Sequence, residues 1–307
     1  MKEEQKTTKI SKELVMYLVM AFAIGWACQF AASYFVMNGR SDLFTPLLSF
    51  AMVAPIAAVF ILYRGLAAPK TGIQGWMPQF KGRMGRWFLV WIAPVVLTAL
   101  GMVAYYGVFP ARFDPTASSY LTAALGQEMY EQMYAGVSAF QLCGVQVINI
   151  LFAALINMFL AIGEEAGWRG WMQPRLAKQI GRACANVVTG LVWGVWHWPV
   201  IMLAGYEYQM PISQSPWYMV LAGMLLFCLV TVALSFVLDW CYEKTGSIWA
   251  PALFHGGFNA AAGLGILFLR MEYAKDTLMG PMPVGVLGAL PLFICGALLY
   301  CKERKAD

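Results

Sequence analysis

The sequence predicts an all-α, polytopic membrane protein with eight transmembrane helices and both termini in the cytoplasm. Three observations predict it: a shortage of charge, the length of the uncharged apolar stretches, and the distribution of Lys and Arg. Of the 307 residues, 60% are hydrophobic and 12% charged, about half the ~25% charged content usual in a soluble domain. Eight stretches carry no Asp, Glu, Lys or Arg: Leu14 to Val36, Leu43 to Tyr63, Trp87 to Phe109, Ala139 to Gly163, Ala183 to Tyr206, Trp217 to Leu238, Ile248 to Leu269, and Met282 to Tyr300. Each is about as long as a helix crossing ~30 Å of hydrocarbon requires, roughly 17 to 25 residues. Eight such helices in a chain of this size leave no polar exterior for a water-soluble bundle.

The first stretch follows a Lys-rich start, Lys2, Lys6, Lys9 and Lys12, and at 23 residues it exceeds the roughly 7 to 15 apolar residues of a cleaved signal. It is expected to remain as the first helix. With the N-terminus inside and eight crossings, the inner segments hold 17 of the 21 basic residues, and only Arg40, Arg112, Arg270 and Lys275 lie outside. The 16 acidic residues divide 9 to 7. This is the positive-inside bias, which counts Lys and Arg and is nearly indifferent to acids. It also accounts for the net charge of +5 without a nucleic-acid partner. The short loops and the lack of internal repeats describe one integral membrane domain, residues 1–307, with a core at about 139–269, expected in a bacterial plasma membrane.

The seven cysteines form no C-x-x-C pair, so neither a disulfide framework nor a cysteine-ligated zinc site is expected. The longest outer connection, around Ala117 to Ala135, places Leu121, Leu125, Met129 and Met133 at four-residue spacing. It is expected to form a helix lying on the outer interface.

Ionisable side chains inside a membrane are costly and therefore functional candidates. The only two histidines, His197 and His255, both fall inside apolar segments, in Trp193-Gly-Val-Trp-His197 and Phe254-His255-Gly-Gly-Phe-Asn259. The fourth segment closes with Gly163-Glu164-Glu165-Ala-Gly-Trp-Arg169. Adjacent helical residues diverge by about 100°, whereas residues four apart share a face. Glu165 is thus expected to pair with Arg169, leaving Glu164 available for proton transfer on a stripe that also carries Asn157. At 1.5 Å per residue, Glu164, His255 and His197 lie ~15, ~10 and ~20 Å from the cytoplasmic ends of their segments. The three can meet on the cytoplasmic side of the midplane. His255 and Asn259 share one face, and Gly256 with Gly257, like Gly190 with Gly194, permits close helix approach.

In order and spacing, Glu164-Glu165-x-x-x-Arg169, Trp193-x-x-x-His197 and His255-x-x-x-Asn259 resemble the signature of the CAAX protease and bacteriocin-processing family of intramembrane endopeptidases, also called Abi proteins. The resemblance covers roughly Ile150 to Leu264, and the eight-helix count agrees with its Ras-converting, prenyl-protein-specific branch. Trp193 stands where the family often has Phe, a conservative aromatic change. The resemblance implies peptide-bond hydrolysis by a water that Glu164 activates with help from His197, while His255 and Asn259 hold the oxyanion. Glu165 and Arg169 support the site. The implied substrate is a membrane-bound peptide or lipidated protein in the bilayer, prenylated CAAX-type tails among them.

Two further readings stay open at this level. Glu164, His197 and His255 could ligate Zn²⁺ and leave a fourth position for water. The absence of an H-E-x-x-H helix and the presence of Asn259, an amide donor, favour a metal-free site without cofactor. Intramembrane carboxylates and histidines also build the ion paths of proton-coupled transporters. A bacteriocin-immunity or regulatory scaffold without turnover would retain the same motifs.

Overall fold

The structure, a computed structural model, describes residues 11–63 and 72–306. The expectations for Lys2, Lys6, Lys9, Arg64 and Lys70 lie outside the described residues. Helices dominate, and the sole β-bridge among the described residues joins Phe113 to Leu269.

The chain begins with α1, Lys12–Met37, started by Ser11, whose hydroxyl accepts from the Leu14 N–H at 3.2 Å. Helices α2, Phe44–Ala51, and α3, Ala54–Leu62, follow with a 41° bend between them. Pro55 in the first turn of α3 cannot continue the α2 ladder, because it lacks an N–H to donate. Helix α4 spans Met84–Val108, and two short helices, α5, Ser118–Leu125, and α6, Gln127–Met133, lead to α7, Ala139–Gly167. Ser138 and Gln141 form a capping box at the start of α7, satisfying two backbone donors that have no helical partner. A π-helical turn, Trp168–Met172, connects α7 to α8, Gln173–Ile180.

Helix α9, Arg182–Trp196, breaks at His197 before α10, Trp198–Ala204. Pro199 sits in the first turn of α10 and removes the donor a continuous helix would need. The break exposes the Trp196 carbonyl and the Val200 N–H, and Gln29 of α1 satisfies both. Its Nε2 donates to Trp196 O at 2.8 Å, and its Oε1 accepts from Val200 N at 3.4 Å. Helices α11, Trp217–Thr245, α12, Trp249–Ala261, and α13, Leu290–Arg304, complete the bundle.

Helix α12 lies at the centre, against α7, α4 and α11, while α9 packs on α11 and α1 on α2 and α3. A Cβ built on Gly256 would sit 2.7 Å from Met158 N, and one on Gly190 would sit 2.4 Å from Val232 Cα. Both glycines therefore bring backbones together, α12 to α7 and α9 to α11, closer than any side chain allows.

The bundle has two faces. On the terminal face, the Arg86 guanidinium donates to Lys244 O at 2.9 Å, Gln74 N donates to Gly170 O at 2.9 Å, and Ile248 N donates to Gly75 O at 2.9 Å. On the opposite face, Phe113 meets Leu269, Tyr208 meets Val284, and Phe44 meets Tyr206. Of the sixteen Lys and Arg among the described residues, twelve lie towards the terminal face, and the four others are Arg40, Arg112, Arg270 and Lys275.

Two expectations change. Among the described residues, six helical spans are long and apolar enough to cross a membrane, and the bent pair 41–62, taken as one span, makes a seventh. The eighth stretch contributes only α13, 15 residues long, because residues 282–289, with Pro283, Gly285 and Gly288, form turns rather than helix. The expected interfacial helix around Ala117 to Ala135 is two helices, broken where Gly126 adopts φ 88°, a conformation that ends a right-handed helix. Leu121 is buried, but Leu125, Met129 and Met133 are exposed.

Candidate active site

A cavity of about 250 Å³ contains Glu164 of α7, His197 at the α9–α10 break, and His255 and Asn259 of α12. Four residues distant in sequence thus face one space. Glu164 is 1% exposed and His255 3%, whereas Asn259 is exposed to the cavity.

Glu164 does not stand alone. The Trp193 indole Nε1 donates to its Oε2 at 2.5 Å. The Trp193 ring also lies 5.1 Å from the His255 ring and 6.1 Å from that of His197, and the Arg169 guanidinium sits 4.4 Å from its centroid. Trp193 is therefore the hub of the site, a role that its reading as a conservative aromatic replacement missed. The indole N–H supplies a hydrogen bond that phenylalanine lacks.

Glu165 faces away from Glu164, as the 100° step requires. Its Oε1 accepts from Arg169 Nη1 at 3.1 Å and from His255 Nδ1 at 2.9 Å. The contact with Arg169 matches the four-residue spacing; the contact with His255 was invisible in sequence, since 90 residues separate the two. A carboxylate can only accept, so His255 carries a proton on Nδ1 and turns Nε2 to the cavity. The same logic applies to His197, whose Nδ1 lies 2.9 Å from the Trp193 carbonyl. Its Nε2 is left as an acceptor. Asn157, on the Glu164 stripe, donates from Nδ2 to Gly256 O at 3.3 Å and ties α7 to α12.

Below Glu164 the terminal end of the site is closed. Tyr17, Trp168 and Trp171 are fully buried and packed together, Trp168 edge-on and Trp171 tilted, with ring centroids 5.8 and 4.5 Å from Tyr17. Glu164 lies six residues, or ~9 Å at 1.5 Å per residue, from Gly170 at the terminal face. The rest of the lining comes from the bundle middle and the opposite face, including Phe44, Thr45, Tyr206, Glu207 and Val284. Thr45 on α2 and Asn259 on α12 are both exposed, so the cavity is open between these helices. Depth and access therefore point to different faces.

Glu207 escaped the sequence reading because it follows an apolar stretch and looks like a loop charge. It lines the same cavity. Among the described residues, no group of three or more His, Cys, Asp or Glu is arranged to hold a metal ion. Glu164, His197 and His255 share the cavity but are not gathered as one ligand set among the described residues.

Fold and site together define a helical membrane protein with a buried carboxylate, two imidazoles and a carboxamide around one cavity. Residues 146–261 match the family model described as type II CAAX prenyl endopeptidase Rce1-like. The chain is also similar to CAAX prenyl protease 2 of Methanococcus maripaludis, 27% identical over 173 residues, covering 55% of this chain and 57% of the relative. The chain thus aligns with little more than half the length of that relative.

Proposed function

We propose that the protein is an intramembrane endopeptidase that hydrolyses a peptide bond with a water activated by Glu164. The observation that carries this reading is the convergence of Glu164, His197, His255 and Asn259 on one cavity; the family match supports it.

In this mechanism the Glu164 carboxylate takes a proton from water as the oxygen attacks the scissile carbonyl, and His197 Nε2 orients the water by accepting its second hydrogen. The carbonyl oxygen becomes an oxyanion held by the Asn259 amide and by an Nε2 proton on His255. Fixed donors in a site shielded from water stabilise that charge more than solvent could. Glu164 then returns its proton to the leaving nitrogen as the carbon–nitrogen bond breaks. No step requires metal.

The substrate is a membrane-bound peptide. The apolar lining, with Leu48, Phe227, Val230 and Phe258, suits a lipid-embedded or lipidated chain such as the prenylated tails processed by CAAX proteases. The twelve to four distribution of basic residues supports a cytoplasmic location for the termini. The bond is then cut in the cytoplasmic half of the bilayer, while the chain enters from the lipid and the opposite face.

Mass spectrometry of membranes carrying wild type or Glu164→Gln tests the reading. Peptides cleaved only with wild type support it; identical peptide sets from two well-folded proteins reject it.

A further inference from the structure

The segment after α10 is unusual. Gly205, Glu207 and Gln209 all adopt left-handed backbone conformations, with φ 68°, 64° and 53°. Two of the three are not glycine, and such strain persists only where surrounding structure enforces it. The enforcement is visible: Gln209 N donates to Gly205 O at 2.6 Å, Thr277 Oγ1 donates to Tyr208 O at 2.5 Å, and the Tyr208 hydroxyl donates to Val284 O at 3.0 Å.

The clamp aims Glu207 into the cavity. The Tyr206 hydroxyl neighbours its carboxylate, and Oε2 is buried without a partner. The Tyr206 ring stacks on His197 at 6.4 Å and 9°, and Glu207 lines the same cavity as Glu164 and His197. Glu164 and Glu207 are the only Asp, Glu, Lys or Arg lining the cavity among the described residues. A buried carboxylate with an unfilled acceptor position is unfavourable unless a donor or a cation meets it.

We infer that Glu207 and Tyr206 form a subsite for a cationic group of the substrate, a Lys or Arg side chain or a free amino terminus, in the cavity that holds the scissile bond. The inference rests on the peptidase reading for its place in the reaction, and on the orphaned oxygen alone for its ligand. The same cavity, with no Lys or Arg in its lining, disfavours a substrate whose free carboxylate must sit beside Glu207.

Two measurements test it. The first is independent of turnover: Tm of the purified full-length protein is recorded with octylguanidinium and with octanol. Octylguanidinium is expected to raise Tm above the octanol value in wild type and not in Glu207→Gln, a near-isosteric change. The second uses a lipid-anchored peptide library read by mass spectrometry. Wild type should favour Lys or Arg near the cut over neutral residues by ~10-fold, Glu207→Gln should lose the preference, and Glu207→Lys should reverse it towards Asp or Glu. No Tm difference between the two ligands in wild type, or the same difference in Glu207→Gln, overturns the subsite. A Tm response without any cleavage leaves the subsite standing and rejects the peptidase. Cleavage with an unchanged residue preference in Glu207→Gln rejects the subsite alone.

Discussion

The indole N–H of Trp193 donates to the Glu164 carboxylate at 2.5 Å, and the face of the same ring carries the Arg169 guanidinium at 4.4 Å. One aromatic side chain thus orients the proposed base and couples it to the Glu165–Arg169 pair.

Trp193→Phe keeps the packing and deletes that hydrogen bond. A hydrogen bond to a charged group is worth ~1.5–3 kcal/mol, and each ~1.4 kcal/mol is tenfold in rate. Turnover should fall ~10- to 100-fold with Tm nearly unchanged. Trp193→His or another substitution that disturbs packing should lower Tm as well, which separates orientation from folding.

Glu165→Gln is expected to do more than loosen Arg169. Its Oε1 accepts from both Arg169 and His255, so the amide weakens two charge-assisted bonds and frees the His255 ring. Both Tm and kcat should drop, whereas Glu164→Gln should abolish kcat and spare Tm. Equal kcat for Glu165→Gln and wild type would contradict the contact with His255.

Access is tested by cysteine labelling in a Cys-free background. Thr45→Cys at the cavity opening should react with a membrane-impermeant maleimide applied outside intact cells, and Lys81→Cys should react only in inverted vesicles. The reverse pattern would place the termini outside and the cavity mouth in the cytoplasm.

Slow chelation should leave activity intact and purified protein should hold substoichiometric zinc, because Glu164, His197 and His255 are not gathered into a ligand set. Loss of activity on chelation, restored by added zinc, would reverse that assignment.

Sequence made the apolar segments and the three motifs legible because membrane burial leaves each ionisable residue conspicuous. Periodicity also gave Glu165 with Arg169, since helical neighbours four apart must share a face. Contacts between helices were beyond it. Glu165 with His255, and Trp193 with Glu164, depend on how α7, α9 and α12 cross. Arg182 and Asn186 reaching Asp239, at 2.6 and 2.7 Å, likewise join α9 to α11. Hydropathy overstated the last span, because it scores the turn residues 282–289 as readily as helix. Glu207 was hidden by its loop position, and only the left-handed backbone and the cavity wall give it meaning.

The central claim is that Glu164 activates the water that cleaves the peptide bond. Purified wild type and Glu164→Gln, each in nanodiscs, are incubated with a lipid-anchored peptide library in isotopically labelled water, and products are read by mass spectrometry. The account predicts products from wild type with one labelled oxygen in each new carboxylate, and none from a Glu164→Gln protein of unchanged Tm. Labelled products formed by Glu164→Gln at the wild-type rate would contradict it.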